Sequence, residues 1–96
     1  MEYPTITEAI AETLETIWDR IGWEASDNVN VELDPNDGRK AQLFFETDIE
    51  DYDAYSELII ALEEEFEKTF EGAVISVKAD TDYMTILRSF YVNINW

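Results

Sequence analysis

The chain has no cysteine and no histidine among its 96 residues, only 3 glycines and 2 prolines, and only 6 lysines and arginines. Each shortage closes off a class of chemistry. Without cysteine there is no disulfide, no thiolate metal site and no cysteine nucleophile. Without histidine the commonest general base and the commonest transition-metal ligand are both missing. Ser26, Ser56, Ser76 and Ser89 therefore have no imidazole to activate them, and Gly22, Gly38 and Gly72 are too scattered to build a phosphate-cradling loop. No apolar run approaches the ~20 residues of a membrane span. The opening Met1-Glu2-Tyr3-Pro4 lacks the basic and apolar regions of a signal peptide, so a cytoplasmic protein is expected.

What is abundant is acid. Asp and Glu number 23, which gives a net charge of -17. Solubility alone asks for a net charge of about 2–8 in magnitude. The excess opposes folding through self-repulsion, so a compensating role is expected. It also disfavours direct contact with nucleic acid or an anionic membrane, whose phosphates it repels. Apolar residues still make up 46% of the chain and aromatics 14%, enough for a core and too much for a disordered segment. The length fits a single domain, residues 1–96.

Hydrophobic spacing sets the elements. Thr5 to Gly22 reads as a helix, with Thr5 and Glu8 as a capping box and Ile6, Ile10, Leu14, Ile17, Trp18 and Ile21 as its core stripe. Asn28 to Leu33 alternates, Asp34-Pro35-Asn36-Asp37-Gly38 is dense in turn formers, and Ala41 to Glu46 resumes an extended pattern, which predicts a hairpin. A second helix is predicted from Asp51 or Asp53 to Glu71, ended by Gly72, with Tyr55, Leu58, Ile59, Leu62, Phe66 and Phe70 inward. Ala73 to Ala79 is a third strand, Asp80-Thr81-Asp82 a turn, and Tyr83 to Trp96 a long fourth strand with Met84, Ile86, Phe90, Val92, Ile94 and Trp96 on one face. Arg88 interrupts that face, so a bulge or a buried ion pair is expected there. The fold class is α+β, a two-layer sandwich in the order α-β-β-α-β-β. It has a four-stranded antiparallel sheet and both helices on one face. Moving the last strand to the front gives the ferredoxin-like order, which makes that strand central, between the second and third.

Few motifs survive inspection. Carboxylate pairs are everywhere, but acid–base chemistry needs two carboxylates in different environments within a cleft, and nothing singles out such a pair. The segment Asp34 to Gly38 resembles the start of a calcium loop, yet Gly38 falls where a ligand is required. No enzyme, cofactor or dedicated metal site is expected.

The pattern of the acids carries more information. Glu8, Glu12, Glu15 and Asp19 fall on one face of the first helix, a row of roughly 16 Å at about 1.5 Å per residue. Asp53, Glu57, Glu64, Glu67 and Glu71 make a similar row on the second, thickened by Glu63 and Glu65, with Glu64–Lys68 as its favourable pair. Between sheet and helix lies an acidic connector containing Glu46, Asp48, Glu50, Asp51 and Asp53. An ordinary solvated face mixes signs, whereas here like charges recur at i, i+4. Phe44, Tyr83 and Tyr91, on the sheet face away from the helices, are candidate packing anchors.

In size, charge and lack of catalytic groups the chain resembles the acidic DNA-mimic inhibitors, among them phage-encoded anti-CRISPR and anti-restriction proteins and inhibitors of DNA-repair enzymes. The resemblance lies in composition over the whole chain and carries no residue roles with it. It implies a basic nucleic-acid-binding protein or complex as partner, in the host cytoplasm, and a monomer or homodimer. Two other readings stay open: an immunity protein that covers a basic toxin nuclease, and a housekeeping domain adapted to high salt. Ten Ile and five Asn fit the last one poorly.

Overall fold

The structure, a computed structural model, describes residues 3–34, 36, 39–81 and 87–96, and of residues 3–5 and 81 the backbone alone. Helix α1 spans Tyr3–Ile21 and buries Ile6, Ile10, Leu14 and Ile17. It starts two residues before the expected cap, so Thr5 lies inside the helix instead of capping it. Pro4 is tolerated there because first-turn N–H groups have no intrahelical acceptor. The helix stops at Gly22, whose φ of 86° is one that side chains with a Cβ rarely adopt and whose N–H donates to the Trp18 carbonyl at 2.9 Å. Helix α2 spans Tyr52–Thr69. The Asp51 carboxylate caps it by accepting the Asp53 N–H at 2.9 Å, and Gly72, at φ 85°, turns the chain beyond it.

Four strands complete the sheet: β1 (Asn30–Leu33), β2 (Lys40–Asp48), β3 (Val74–Thr81) and β4 (Leu87–Asn95). Their spatial order is β1-β2-β4-β3, with every neighbour antiparallel. This is the permuted ferredoxin-like arrangement, with β4 central between β2 and β3. The β1–β2 turn opens with the Asp34 carboxylate accepting the Asn36 N–H at 2.9 Å. Met84, Ile86 and Tyr83 lie outside the described residues.

Strand alternation divides the sheet into two faces. Ala41, Leu43, Phe45, Phe90, Val92 and Ile94 are buried beneath the helices, flanked by half-buried Val31, Leu33, Ile75, Val77 and Ala79. Phe45 stacks on Phe90 at 5.1 Å between ring centroids and takes the edge of Trp18 at 5.9 Å. Phe70, at the end of α2, stacks on Trp96 at 5.5 Å. Each large apolar side chain so buried contributes roughly 1.5–3 kcal/mol.

Three expectations need correction. Strand β2 runs on to Asp48, two residues past the predicted end, because Thr47 and Ile49 continue the inward alternation and both are buried. Asp80 and Thr81 belong to β3 and do not form a turn. Of the bulge or ion pair expected near Arg88, the bulge is absent among the described residues, since β4 keeps unbroken register with β2 from Leu87 and with β3 from Arg88 to Asn95. The Arg88 guanidinium lies 4.5 Å from the centroid of the Tyr55 ring, and its Nε donates to the Ile49 carbonyl at 3.4 Å. Cation–π contact and a carbonyl thus let a cation sit on the helix-facing side.

Candidate functional site

The two helices lie side by side and antiparallel, as their cross-contacts show: Thr13 meets Thr69 and Arg20 meets Glu64 and Glu65. The polar contacts between them form a seam. The Thr13 and Thr69 hydroxyls are 2.7 Å apart, and each is also within hydrogen-bond reach of the carbonyl one turn earlier on its own helix. Glu65 is nearly buried at the seam, where it receives Arg20 at 3.5 Å and Lys68 at 3.1 Å. Glu64 takes the other amino group of Arg20 at 3.1 Å.

This seam corrects the reading of three side chains. Glu65 does not thicken the outer row but faces α1. Lys68 pairs with Glu65 three residues before it, and Glu64 pairs across to α1. Consecutive helical residues point about 100° apart, so Glu63, Glu64 and Glu65 cannot share one face. Arg20 and Lys68 are the only cations of the two helices, and both are engaged at this seam.

The outer surface is mostly acid, with Lys68, 70% exposed, standing beside Glu64, Glu67 and Glu71. Glu8, Glu12, Glu15 and Asp19 are all exposed on α1, opposite its buried stripe. Asp53, Glu57, Glu64 and Glu67 are exposed along α2, and Glu71 continues their direction beyond the helix. Helices in contact have axes about 8–10 Å apart, so the two rows form one continuous acidic face directed away from the sheet. No family model, no curated protein and no solved structure matches the chain. The meaning of this face therefore rests on its chemistry alone.

The connector does not stay together. Glu46 and Asp48 are exposed on β2, on the side of the sheet opposite the helices. Glu50 and Asp51 sit exposed at the rim, and Asp53 opens the first turn of α2. The period-two alternation of β2 carries Glu46 and Asp48 through the sheet, so the predicted cluster is split between two faces. Asp51 is occupied as the α2 cap.

The expected anchors move as well. Phe44 and Tyr91 do lie on the open sheet face, paired at 5.1 Å. That places them behind the acidic helices, where they cannot join the same contact. Tyr83 lies outside the described residues. The apolar groups that do accompany the acids are on α2: Tyr52, 73% exposed, and Ile60, 47% exposed, between Glu57 and Glu64. Ile60 follows Leu58 and Ile59 in an apolar run, which hides its outward direction in the sequence; its place at i+7 from Asp53 is the signal that reveals it. Among the described residues no group of three or more carboxylates converges to hold a metal ion, and neither helix is long and apolar enough to cross a membrane.

Proposed function

We propose that the domain is a small acidic inhibitor that binds the basic nucleic-acid-binding surface of a partner protein by imitating DNA. One observation carries this reading. Both helices expose their acids on a single face, while the only two helical cations are engaged at the seam between them. The result is a rigid two-row array of carboxylates with little internal neutralisation. The carboxylates occupy a Lys/Arg-lined groove where phosphates would otherwise sit. Association is fast and electrostatically steered, and it slows as salt rises. In this reading the partner belongs to a bacterial defence system, as for the anti-CRISPR and anti-restriction inhibitors, and the domain catalyses nothing.

The test is displacement of a fluorescent DNA duplex from a panel of purified restriction enzymes and CRISPR effector nucleases, at two salt concentrations. The domain should displace duplex from at least one of them, more strongly at low salt. Single changes such as Glu12→Gln should weaken displacement only modestly, because phosphate-like contacts are distributed. Neutralising Glu8, Glu12, Glu15 and Asp19 together, or Asp53, Glu57, Glu67 and Glu71 together, should weaken it strongly, chiefly through slower association. Full potency in both four-fold variants, or its abolition by one substitution, would refute distributed mimicry.

A further inference from the structure

One recess in the surface brings aromatic rings and acids together. It lies at the C-terminal end of α1 and the turn beyond, where Glu15, Trp18, Asp19, Gly22, Trp23 and Glu24 line about 460 Å³ that is open to solvent. That volume falls in the range of about 300–1,000 Å³ usual for ligand sites. Local sequence builds it. Glu15 and Asp19 are one helical turn apart, with Trp18 between them in the chain. Gly22, in its left-handed turn, carries the chain out of the helix and sets Trp23 and Glu24 on the same recess. Both indoles are half-buried. Trp18 meets Phe45 in the core at 5.9 Å, whereas Trp23 makes no ring contact among the described residues.

No lysine or arginine lines this recess, and Glu15, Asp19 and Glu24 make no ion pair among the described residues. Arg20, the cation nearest in sequence, is engaged by Glu64 and Glu65 on α2. The acid-lined recess on α2 differs, because Lys68 stands there among Glu64, Glu67 and Glu71. Everything around the α1 recess favours a cation. An indole face carries the negative side of the ring quadrupole, and the end of α1 is the negative pole of the helix dipole. Carboxylates alone would attract any cation. The indoles select one that is flat and weakly hydrated. A guanidinium is both, stacks on aromatic faces and carries five N–H donors in its plane, whereas an ammonium is compact and strongly hydrated.

We propose that this recess holds an arginine side chain of a partner protein, with the guanidinium laid on an indole and its N–H groups donating to Glu15, Asp19 or Glu24. A surface that imitates DNA by charge alone takes lysine and arginine alike. This recess prefers arginine, and so adds a determinant of specificity at the end of the α1 row. It does so whether or not the partner binds nucleic acid.

The chain has 3 tryptophans, so the indole N–H signals in two-dimensional NMR report on the recess and a control at once. Trp96 is the control, since it stacks on Phe70 and does not line the recess. The whole chain is titrated with the capped peptide acetyl-Gly-Arg-Gly-amide at physiological salt, which screens diffuse attraction. The Trp18 and Trp23 signals should move to saturation with Kd on the order of 1 mM, while Trp96 stays in place. The lysine counterpart should bind roughly threefold or more weakly. Trp23→Leu leaves the charge unchanged and should weaken arginine binding roughly fivefold or more, read on Trp18. Glu24→Gln should weaken it too. Asp80→Asn, which removes the same charge from the edge strand β3, should leave it unmoved. Circular dichroism checks that each variant is folded. Should Trp23→Leu fail to fold, the arginine preference and the contrast between Glu24→Gln and Asp80→Asn decide the matter. Shifts that never saturate, equal shifts at all three indoles, or equal binding of the lysine peptide would overturn the proposal. So would indifference to Trp23→Leu. Displacement of duplex DNA tests the acidic face separately, so failure of either reading leaves the other standing.

Discussion

Replacing Arg20 by Met removes the guanidinium that joins the helices and leaves a stem of similar length and helix propensity. Glu65, with 11% of its side chain exposed, then keeps only Lys68, whose side chain is 70% exposed. At 3.5 Å and an effective dielectric of about 20, the lost attraction is about 5 kcal/mol before desolvation and side-chain ordering are subtracted. Exposed pairs retain at most about 1 kcal/mol of this, and breaking a fully buried pair costs about 3–5 kcal/mol. Arg20 itself is 38% exposed, so the case lies between, at about 1.5 kcal/mol. In a domain of this size that lowers Tm by roughly 6–12 °C. Glu65→Met should cost far less, about 0.5 kcal/mol or under, because it removes the nearly buried charge and leaves Arg20 paired with Glu64. Calorimetry on the two single variants and the double variant gives the order and the coupling directly. If Glu65→Met destabilises as much as Arg20→Met, the account of Glu65 as a charge held in place by its partners is wrong.

Three further outcomes are expected. Raising monovalent salt from low to moderate concentration should raise the Tm of the native chain, since the exposed acids of both helices are screened from one another; a flat or falling Tm would count against unpaired surface acidity. Phe45→Ala, which empties the space between Trp18 and Phe90, should cost about 3–5 kcal/mol in urea unfolding, and a loss under about 1 kcal/mol would mean the ring does not hold the layers together. The purified domain should give no gel shift with duplex DNA or with RNA at physiological salt, because its field repels phosphate; a reproducible shift without divalent cation would sink the mimic.

The fold was legible wherever one period dominates. The stripes of α1 and α2 announce their buried faces at helical spacing, and the permuted ferredoxin-like order of elements places β4 at the centre. The seam was not legible, because Thr13 and Glu65 are polar residues whose burial depends on a second helix that local spacing cannot see. The split of the connector could have been read. Ala41, Leu43, Phe45, Thr47 and Ile49 keep an odd-numbered inward register, which sends Glu46 and Asp48 outward on the far side. Reading Glu46 to Asp53 as one acidic run gave charge precedence over alternation. Of the candidate acids, those on the helices gather on one face because helical spacing placed them there. Charge composition suggested a role for that face but could not show that Arg20 and Lys68 both pair with Glu65 at the seam.

The place of β4 in the sheet has a consequence for how the chain acquires its structure. The β1–β2 hairpin and the β3 strand touch no common partner strand except β4, which pairs with β2 on one side and β3 on the other. Until that strand arrives, β2 and β3 each present an open edge of unpaired backbone N–H and C=O groups, and neither half buries the face of the helices on its own. A chain emerging N-terminus first therefore makes both helices and three strands before it can close a sheet. The β2–β4 pairs join residues as far apart in sequence as Lys40 and Asn95, and such distant pairings are slow to form. The strong mutual repulsion of nascent acidic chains keeps such unfinished molecules apart during that interval, which suits a protein whose central strand comes last.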